Sequence, residues 1–255
     1  MPIKCVVPIS GGKDSQACLK LAVEHFDRSE ILGLFCDTQY EHPTTYAHVA
    51  WLGEYYGVKI ETICDGDVLN KSRKYGRFPG GGSRHCTDEL KIRPTKYFVK
   101  ALAEKQAEGF EVWYGMRVQE SKERANRYDG KVPGELYWPH EVMPSKYPKY
   151  LMKLGVQFRL CVLDWSEQEI IDFCGWDNLN PLYHAGFPRV GCFPCLASGD
   201  KWKEKAFNYD DFGAFQLIRT RDVSREIGKS IWTSKGGKAR NEVDADNPGC
   251  AICQM

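Results

Sequence analysis

A chain of 255 residues, 42% of them hydrophobic, can bury the core of one large α/β domain with room for a small appendage. Lysine and arginine total 35 against 34 acidic residues, so the net charge of +1 excludes any global argument for a nucleic-acid or membrane partner, and such a partner must be read from local patches. No apolar run approaches the roughly 18 residues of a membrane helix, and Lys4 followed closely by a glycine turn leaves no signal-peptide pattern, so a cytoplasmic protein with no membrane contact is expected.

Residues 3–9 are apolar and β-branched and read as a strand, while Cys18, Leu19, Ala22, Val23 and Phe26 recur at helical spacing. Ser10-Gly11-Gly12-Lys13-Asp14-Ser15 therefore turns from a strand into a helix. Two glycines allow a tight turn and the close approach of a ligand, and the first N–H groups of the helix point outward with the positive end of its dipole. Lys13 adds a point charge, Ser10 and Ser15 offer hydroxyls, and phosphate is the expected occupant. The pattern is not the G-x-x-x-x-G-K-[ST] loop of common NTPases, since Asp14 follows Lys13 and no glycine lies five residues before Gly12.

Further along, residues 31–37 read as a second buried strand, 38–43 as its loop, 44–56 as a helix ending at Gly57, and 58–63 as a third strand. This alternation predicts a parallel sheet with helices on both faces, whose ligands bind at the carboxyl ends of the strands, where the loops at Ser10 and Asp37 fall. Residues 71–84 are basic and include Gly80-Gly81-Gly82, and they read as a mobile loop and a candidate lid. A helix is expected over 90–108, interrupted near its start by Pro94, then a strand over 111–115. Residues 129–153 are rich in Pro, Tyr and Lys and read as an irregular insertion; 157–163 resume a strand, and Ser166, with Glu169 in capping-box position, starts a helix reaching Cys174. Beyond Pro181 cysteines, aromatics and basic residues replace the sheet alternation. The expected division is a nucleotide-binding domain over 1–185 and a cysteine-rich metal-binding region over 186–255 packed on it.

Eleven cysteines in a chain that is neither small nor exported point to metal or redox chemistry rather than disulfides. Cys5, Cys18, Cys36, Cys64, Cys161 and Cys174 lie in apolar contexts, where a free cysteine behaves as a small hydrophobe. Cys86, the pair Cys192 and Cys195, and the pair Cys250 and Cys253 lie in polar, Gly/Pro-rich contexts. Cys192-x-x-Cys195, with Gly191 before it and Pro194 within it, is a knuckle of the kind that presents two thiolates to one metal; Cys86 adds a third, and the tail pair Cys250-x-x-Cys253 could supply the fourth. Thiolates select zinc or iron–sulfur clusters. Spacing alone also allows zinc through the two knuckles, which leaves Cys86 unexplained. Asp37, closing the second strand, is placed to meet a ribose hydroxyl or magnesium, with a turn-capping aspartate as the plain alternative. Arg117 and Arg124 offer planar forks for phosphate or sulfate, and a solvated helix face explains Arg124 equally well.

Several blocks together resemble the phosphoadenosine phosphosulfate (PAPS) reductase family within the PP-loop superfamily of ATP pyrophosphatases. They are the loop at Ser10; Asp37-Thr38-Gln39-Tyr40-Glu41 with Pro43 and Tyr46; Cys86-Thr87 with Lys91 and Pro94; Gly115-Met116-Arg117 with Glu120, Ser121 and Arg124; Asp164-Trp165-Ser166; and Asn180-Pro181-Leu182-Tyr183 leading to Arg189-Val190-Gly191-Cys192-Phe193-Pro194-Cys195. They span most of residues 3–200. The resemblance implies a Rossmann-like (adenine nucleotide alpha hydrolase-like) α/β fold with a cysteine-rich C-terminal extension. It also implies an ATP and magnesium site built from Ser10, Gly11, Gly12, Lys13, Asp14, Ser15, Asp37, Gly115 and Arg117, with Lys13, Asp14, Asp37 and Arg117 carrying the chemistry. A [4Fe-4S] cluster on the cysteines is implied as in some PAPS/APS reductase relatives and in PP-loop enzymes that sulfurate nucleic acids, zinc being the alternative; a sulfur- or electron-donor protein and a nucleic-acid acceptor are implied as in DNA phosphorothioation and tRNA thiolation relatives, and an oligomer is compatible with it.

The chain departs from the reductase pattern in two places. It keeps Lys13 and Asp14 in the form that cleaves ATP, and it ends in a Cys250-x-x-Cys253 pair rather than a Glu-Cys-Gly tail. The expected activity is adenylylation of an acceptor with release of pyrophosphate, followed by sulfur transfer. The competing readings are a PAPS or adenosine phosphosulfate reductase that makes sulfite with a thiol donor, and a non-catalytic, zinc-stabilised module that binds nucleotide and nucleic acid.

Overall fold

The computed structural model describes residues 1–80 and 84–232. Its strands are β1 (Cys5–Ile9), β2 (Ile31–Asp37), β3 (Lys59–Cys64), β4 (Glu111–Trp113), β5 (Leu136–Tyr137) and β6 (Gln157–Arg159). The longer helices are α1 (Lys13–His25), α2 (Pro43–Tyr56), α3 (Val68–Tyr75), α4 (Arg93–Gln106), α5 (Glu167–Cys174), α6 (Asp200–Phe207) and α7 (Asp211–Ile227). The chain packs as two compact units, one from Met1–Cys36, Pro43–Ile63 and Ile92–Val190, the other from Asp37–His42, Cys64–Lys91 and the chain from Gly191.

The first unit is the expected Rossmann-like sheet with helices on both faces. Its strand order is β3-β2-β1-β4-β6-β5; β1 pairs in parallel with β2 and β4, and β4 in parallel with β6. Successive side chains of a strand point to opposite faces, which explains the two cores. Cys5, Val7 and Ile9 of β1 pack with Ala17, Leu19 and Ala22 of α1, Leu52 of α2 and Ile170 of α5. Val6, Leu32 and Leu34 belong to the other core, with Val99 and Ala103 of α4, Tyr147 and Leu151. Continuous burial of β2 explains its unbroken apolar run.

Strand lengths are where the sequence reading is corrected. The strand expected over 111–115 stops at Trp113 and the one over 157–163 at Arg159, where the pairing of the two strands ends. Inside the irregular stretch lies β5, antiparallel to β6 at the sheet edge, with short helical turns at Pro139–Val142 and Tyr150–Lys153.

In the second unit the expected mobile loop over 71–84 is overturned in its first half, which is helix α3. Asp67 caps it, accepting hydrogen bonds from the backbone N–H of Leu69 and Asn70, and Gly76 ends it in the left-handed region at φ +59°. Its basic residues disguise an apolar face: Val68 and Leu69 pack with Tyr40, Leu90, Phe207 of α6, and Leu217 and Val223 of α7. Gly81 and Gly82 lie outside the described residues, as do Cys250 and Cys253. Among the described residues no helix is long and apolar enough to cross a membrane.

Candidate functional site

The turn between β1 and α1 is built from its own backbone. Gly11 has φ +73°, and a Cβ there would lie 2.7 Å from the Thr45 methyl group, so glycine is required twice over. The Ser15 hydroxyl accepts from the N–H of Ser10 at 3.1 Å and donates to the carbonyl of Gly12 at 2.8 Å, and the Ser10 hydroxyl accepts from the N–H of Gly12 at 3.3 Å. Both serines thus shape the loop. Asn180 donates to the carbonyl of Gly11 at 3.2 Å, and the Tyr183 hydroxyl accepts from the N–H of Lys13 at 3.1 Å. Gly115 serves by having no side chain: a Cβ there would lie 2.6 Å from the carbonyl oxygen of Asp14, so the loop after β4 touches the first turn of α1 backbone to backbone.

Each charge of the loop already has a partner. The Lys13 side chain is 4% exposed and pairs with Glu167 at 2.8 Å, and its ammonium lies 4.6 Å from the centre of the Tyr183 ring. Lys13 holds the Glu167 carboxyl below its ordinary value. Arg117, 5% exposed, donates from Nε to Asp14 at 2.5 Å and from a terminal nitrogen to the carbonyl of Trp165 at 3.5 Å. Beside it Glu120 pairs with Arg124 and, at 3.3 Å, with Arg189; burial and then the like charge of Arg189 lower the pKa of Arg124. The first unit therefore brings Ser10, Gly11, Gly12, Lys13, Asp14, Ser15, Gly115 and Arg117 together, in a setting of alternating charge suited to an anionic ligand with a cation. Sequence reading missed Glu167, Tyr183 and Asn180 as parts of this loop, although the capping box at Ser166 was legible.

The second unit holds Asp37, Cys86, Cys192 and Cys195. Asp37, the last residue of β2, accepts from the N–H of Gln39 at 2.7 Å, the turn-capping geometry that its plain alternative anticipates. Glu41, 2% exposed, accepts from the hydroxyl of Thr38 at 2.7 Å and from the N–H of Thr38 at 3.1 Å, and the Cys192 thiol donates to it at 3.6 Å. Burial pushes the Cys192 thiol up to about 12 even though Lys91 opposes the shift. Burial and then the charge of Cys195 raise the Cys86 thiol. The pKa of Lys91 is raised, by Cys192 most of all and also by Glu41, Cys195 and Cys86, so one ammonium stands in the field of all three thiols.

As a donor set these thiols suit a thiolate-bound metal: burial raises the pKa of Cys86 and Cys192, and a bound cation would relieve it. Their spacing is not that of a formed site, for among the described residues no three His, Cys, Asp or Glu are grouped to hold one ion.

Comparison with known proteins gives the context. The model of the phosphoadenosine phosphosulfate reductase domain matches residues 4–198. An uncharacterised protein of Methanocaldococcus jannaschii is 28% identical over 75% of this chain and 36% of its own length. The adenosine 5'-phosphosulfate reductase of Rhodococcus erythropolis is 23% identical over 64% of this chain and 58% of its own. The chain thus spans less than two thirds of these relatives' length. Among solved structures, the phosphoadenylyl-sulfate reductase of Candida auris matches with a TM-score of 0.50 and 14% identity, covering 75% of this chain and 82% of that one. The U34-tRNA thiolase of Methanococcus maripaludis, solved with its [4Fe-4S] cluster, matches with a TM-score of 0.50 and 15% identity over 88% of this chain and 72% of that one. At these identities the two structures share the fold.

Proposed function

The chain belongs to the phosphoadenosine phosphosulfate reductase domain family, whose model matches residues 4–198, and we propose that within it this protein adenylylates an acceptor with ATP and magnesium and supports sulfur transfer. An acceptor oxygen attacks the α-phosphorus of ATP and pyrophosphate leaves; the sulfur of a donor then attacks the acceptor atom that bears this oxygen, and the oxygen departs as part of AMP. The observation that supports this reading is the loop itself, in which Gly11 at φ +73° turns the chain so that Lys13 and Asp14 open α1. The work of the residues is positioning and charge neutralisation, the main sources of rate in transfer at phosphorus. Backbone N–H groups at the start of α1 and Lys13 hold phosphate oxygens, Arg117 adds a planar fork, and Asp14 or Asp37 takes the magnesium that accompanies ATP. A base or backbone group of nucleic acid is proposed as the acceptor, with the basic stretches 71–74 and 201–205 as its contacts.

Cys86, Cys192 and Cys195 are proposed to bind a [4Fe-4S] cluster, with Cys250 and Cys253 completing the set and zinc as the alternative. A cluster with an open iron would supply a place to hold sulfur, whereas zinc would stabilise the fold alone.

The test is magnesium-dependent release of AMP and pyrophosphate from ATP in the presence of candidate acceptors. Lys13→Ala is expected to weaken nucleotide binding and abolish pyrophosphate release with the fold intact. A second reading, reduction of adenosine phosphosulfate or PAPS to sulfite by a thiol donor, is favoured by the similarity to the Rhodococcus reductase. Sulfite formed without ATP, and no pyrophosphate formed with it, would select that reading.

A further inference from the structure

Lys13 and Glu167 are unequal partners. The lysine side chain is 4% exposed and the glutamate side chain 60% exposed, although their charged atoms are 2.8 Å apart. An ammonium taken out of water is costly without an anion, whereas a carboxylate at the surface finds water as readily as it finds lysine. The other polar neighbour of the Lys13 ammonium is the carbonyl of Pro188 at 3.5 Å, which carries no charge. Glu167 is the first residue of α5, and the reciprocal hydrogen bonds between Ser166 and Glu169 fix that helix start. Its backbone is thus anchored while its carboxylate reaches solvent.

We infer that Glu167 is a resident counter-ion that keeps Lys13 poised at the loop while no nucleotide is bound, and that yields it to a phosphate group on binding. The inference rests on the ATP reading and adds to it a residue that sets affinity. Exchange of Glu167 for ligand breaks one ion pair and forms another, with no bond made or broken. A carboxylate brings one negative charge, so a polyphosphate with several charges within reach displaces it and a singly charged anion gains little. Glu167 is on this account a positioning residue that tunes the loop toward polyphosphates.

Calorimetric titration of the intact protein with magnesium ATP and, separately, with inorganic pyrophosphate tests this. Glu167→Gln keeps the side-chain shape and a hydrogen-bond acceptor while removing the competing charge. It is expected to bind both probes about five- to tenfold more tightly than wild type, the scale of a partly exposed ion pair. Glu167→Asp should behave like wild type, and on a Lys13→Ala background the change at Glu167 should have no effect on affinity. Unchanged or weaker binding by a folded Glu167→Gln protein, with wild type binding normally, overturns the inference and leaves the ATP reading standing. Binding of neither probe by any variant, wild type included, overturns the ATP reading and this inference with it.

Discussion

Arg117 is 5% exposed and spends its charge on Asp14, so the pair holds two charges out of water at the start of α1. Removing one member leaves the other buried and unbalanced, which costs about 3 kcal/mol or more. Asp14→Asn is therefore expected to lower the unfolding free energy by about that amount in urea titration, and adding Arg117→Gln should recover part of the loss; an unchanged midpoint in Asp14→Asn would show that the pair carries no stability. Glu89 offers a test in pH. Its side chain is 3% exposed, and the Tyr75 hydroxyl, then Lys71 and Lys74, draw its carboxyl down to about 2 from an ordinary 4.5. A carboxyl whose folded pKa is depressed contributes stability above its unfolded pKa and loses it as pH falls through the folded one. Acid unfolding should accordingly steepen from pH 4.5 toward 2, the interval between the two values, and Glu89→Gln should flatten that limb. Identical acid limbs in the two proteins would defeat the assignment.

At the scale of elements, Gly115 joins two of them. A Cβ there would stand 2.6 Å from the carbonyl oxygen of Asp14 and 2.9 Å from the backbone nitrogen of Ser15, and neither atom belongs to a side chain that can rotate away. Gly115→Ala is expected to displace the first turn of α1, lower the thermal midpoint and weaken ATP binding with Lys13 still present; a variant matching wild type in both measurements would show that the contact is slack. The same scale explains what could be read in advance. β2 was legible because six of its seven residues are buried and spell one apolar run, and α5 because Ser166 and Glu169 are local to each other. α3 was not, since Lys71, Arg73 and Lys74 dominate its composition while Val68, Leu69 and Ser72 alone are buried, and its cap at Asp67 lies outside the basic stretch. β5 has two residues, too few for any alternation to show. The candidate site divides along the same line: the glycines and Lys13 announce a phosphate loop within six residues, whereas Glu167, Asn180 and Tyr183 meet it only after the chain has crossed the sheet, and no periodicity encodes that meeting.

For the whole molecule, the cysteines carry the test of the proposed metal centre. The sheet places the glycine turn before α1 at the carboxyl end of β1, where ligands of open α/β sheets bind. Cys192 is buried enough to be pushed to about 12, so as a free thiol it is a poor nucleophile near neutral pH, and the same side chain becomes a good ligand once a metal replaces its proton. The sulfur-transfer reading assigns Cys86, Cys192 and Cys195 to one centre, and a reductase that attacks with a tail thiol is compatible with the same centre, so the requirement for ATP and the role of the tail thiols separate the two. Protein purified without oxygen is expected to be brown and to contain iron and sulfide, and Cys86→Ala, Cys192→Ala and Cys195→Ala should each lose colour and iron. If Cys250 and Cys253 are ligands too, changing either should lower metal content and thermal stability together, because metal bound only by the folded chain adds its binding free energy to folding; full metal with lost turnover would make one of them a nucleophile instead. Stoichiometric zinc without iron would move the centre to the zinc reading, and iron retained in full by Cys86→Ala would remove that residue from the set.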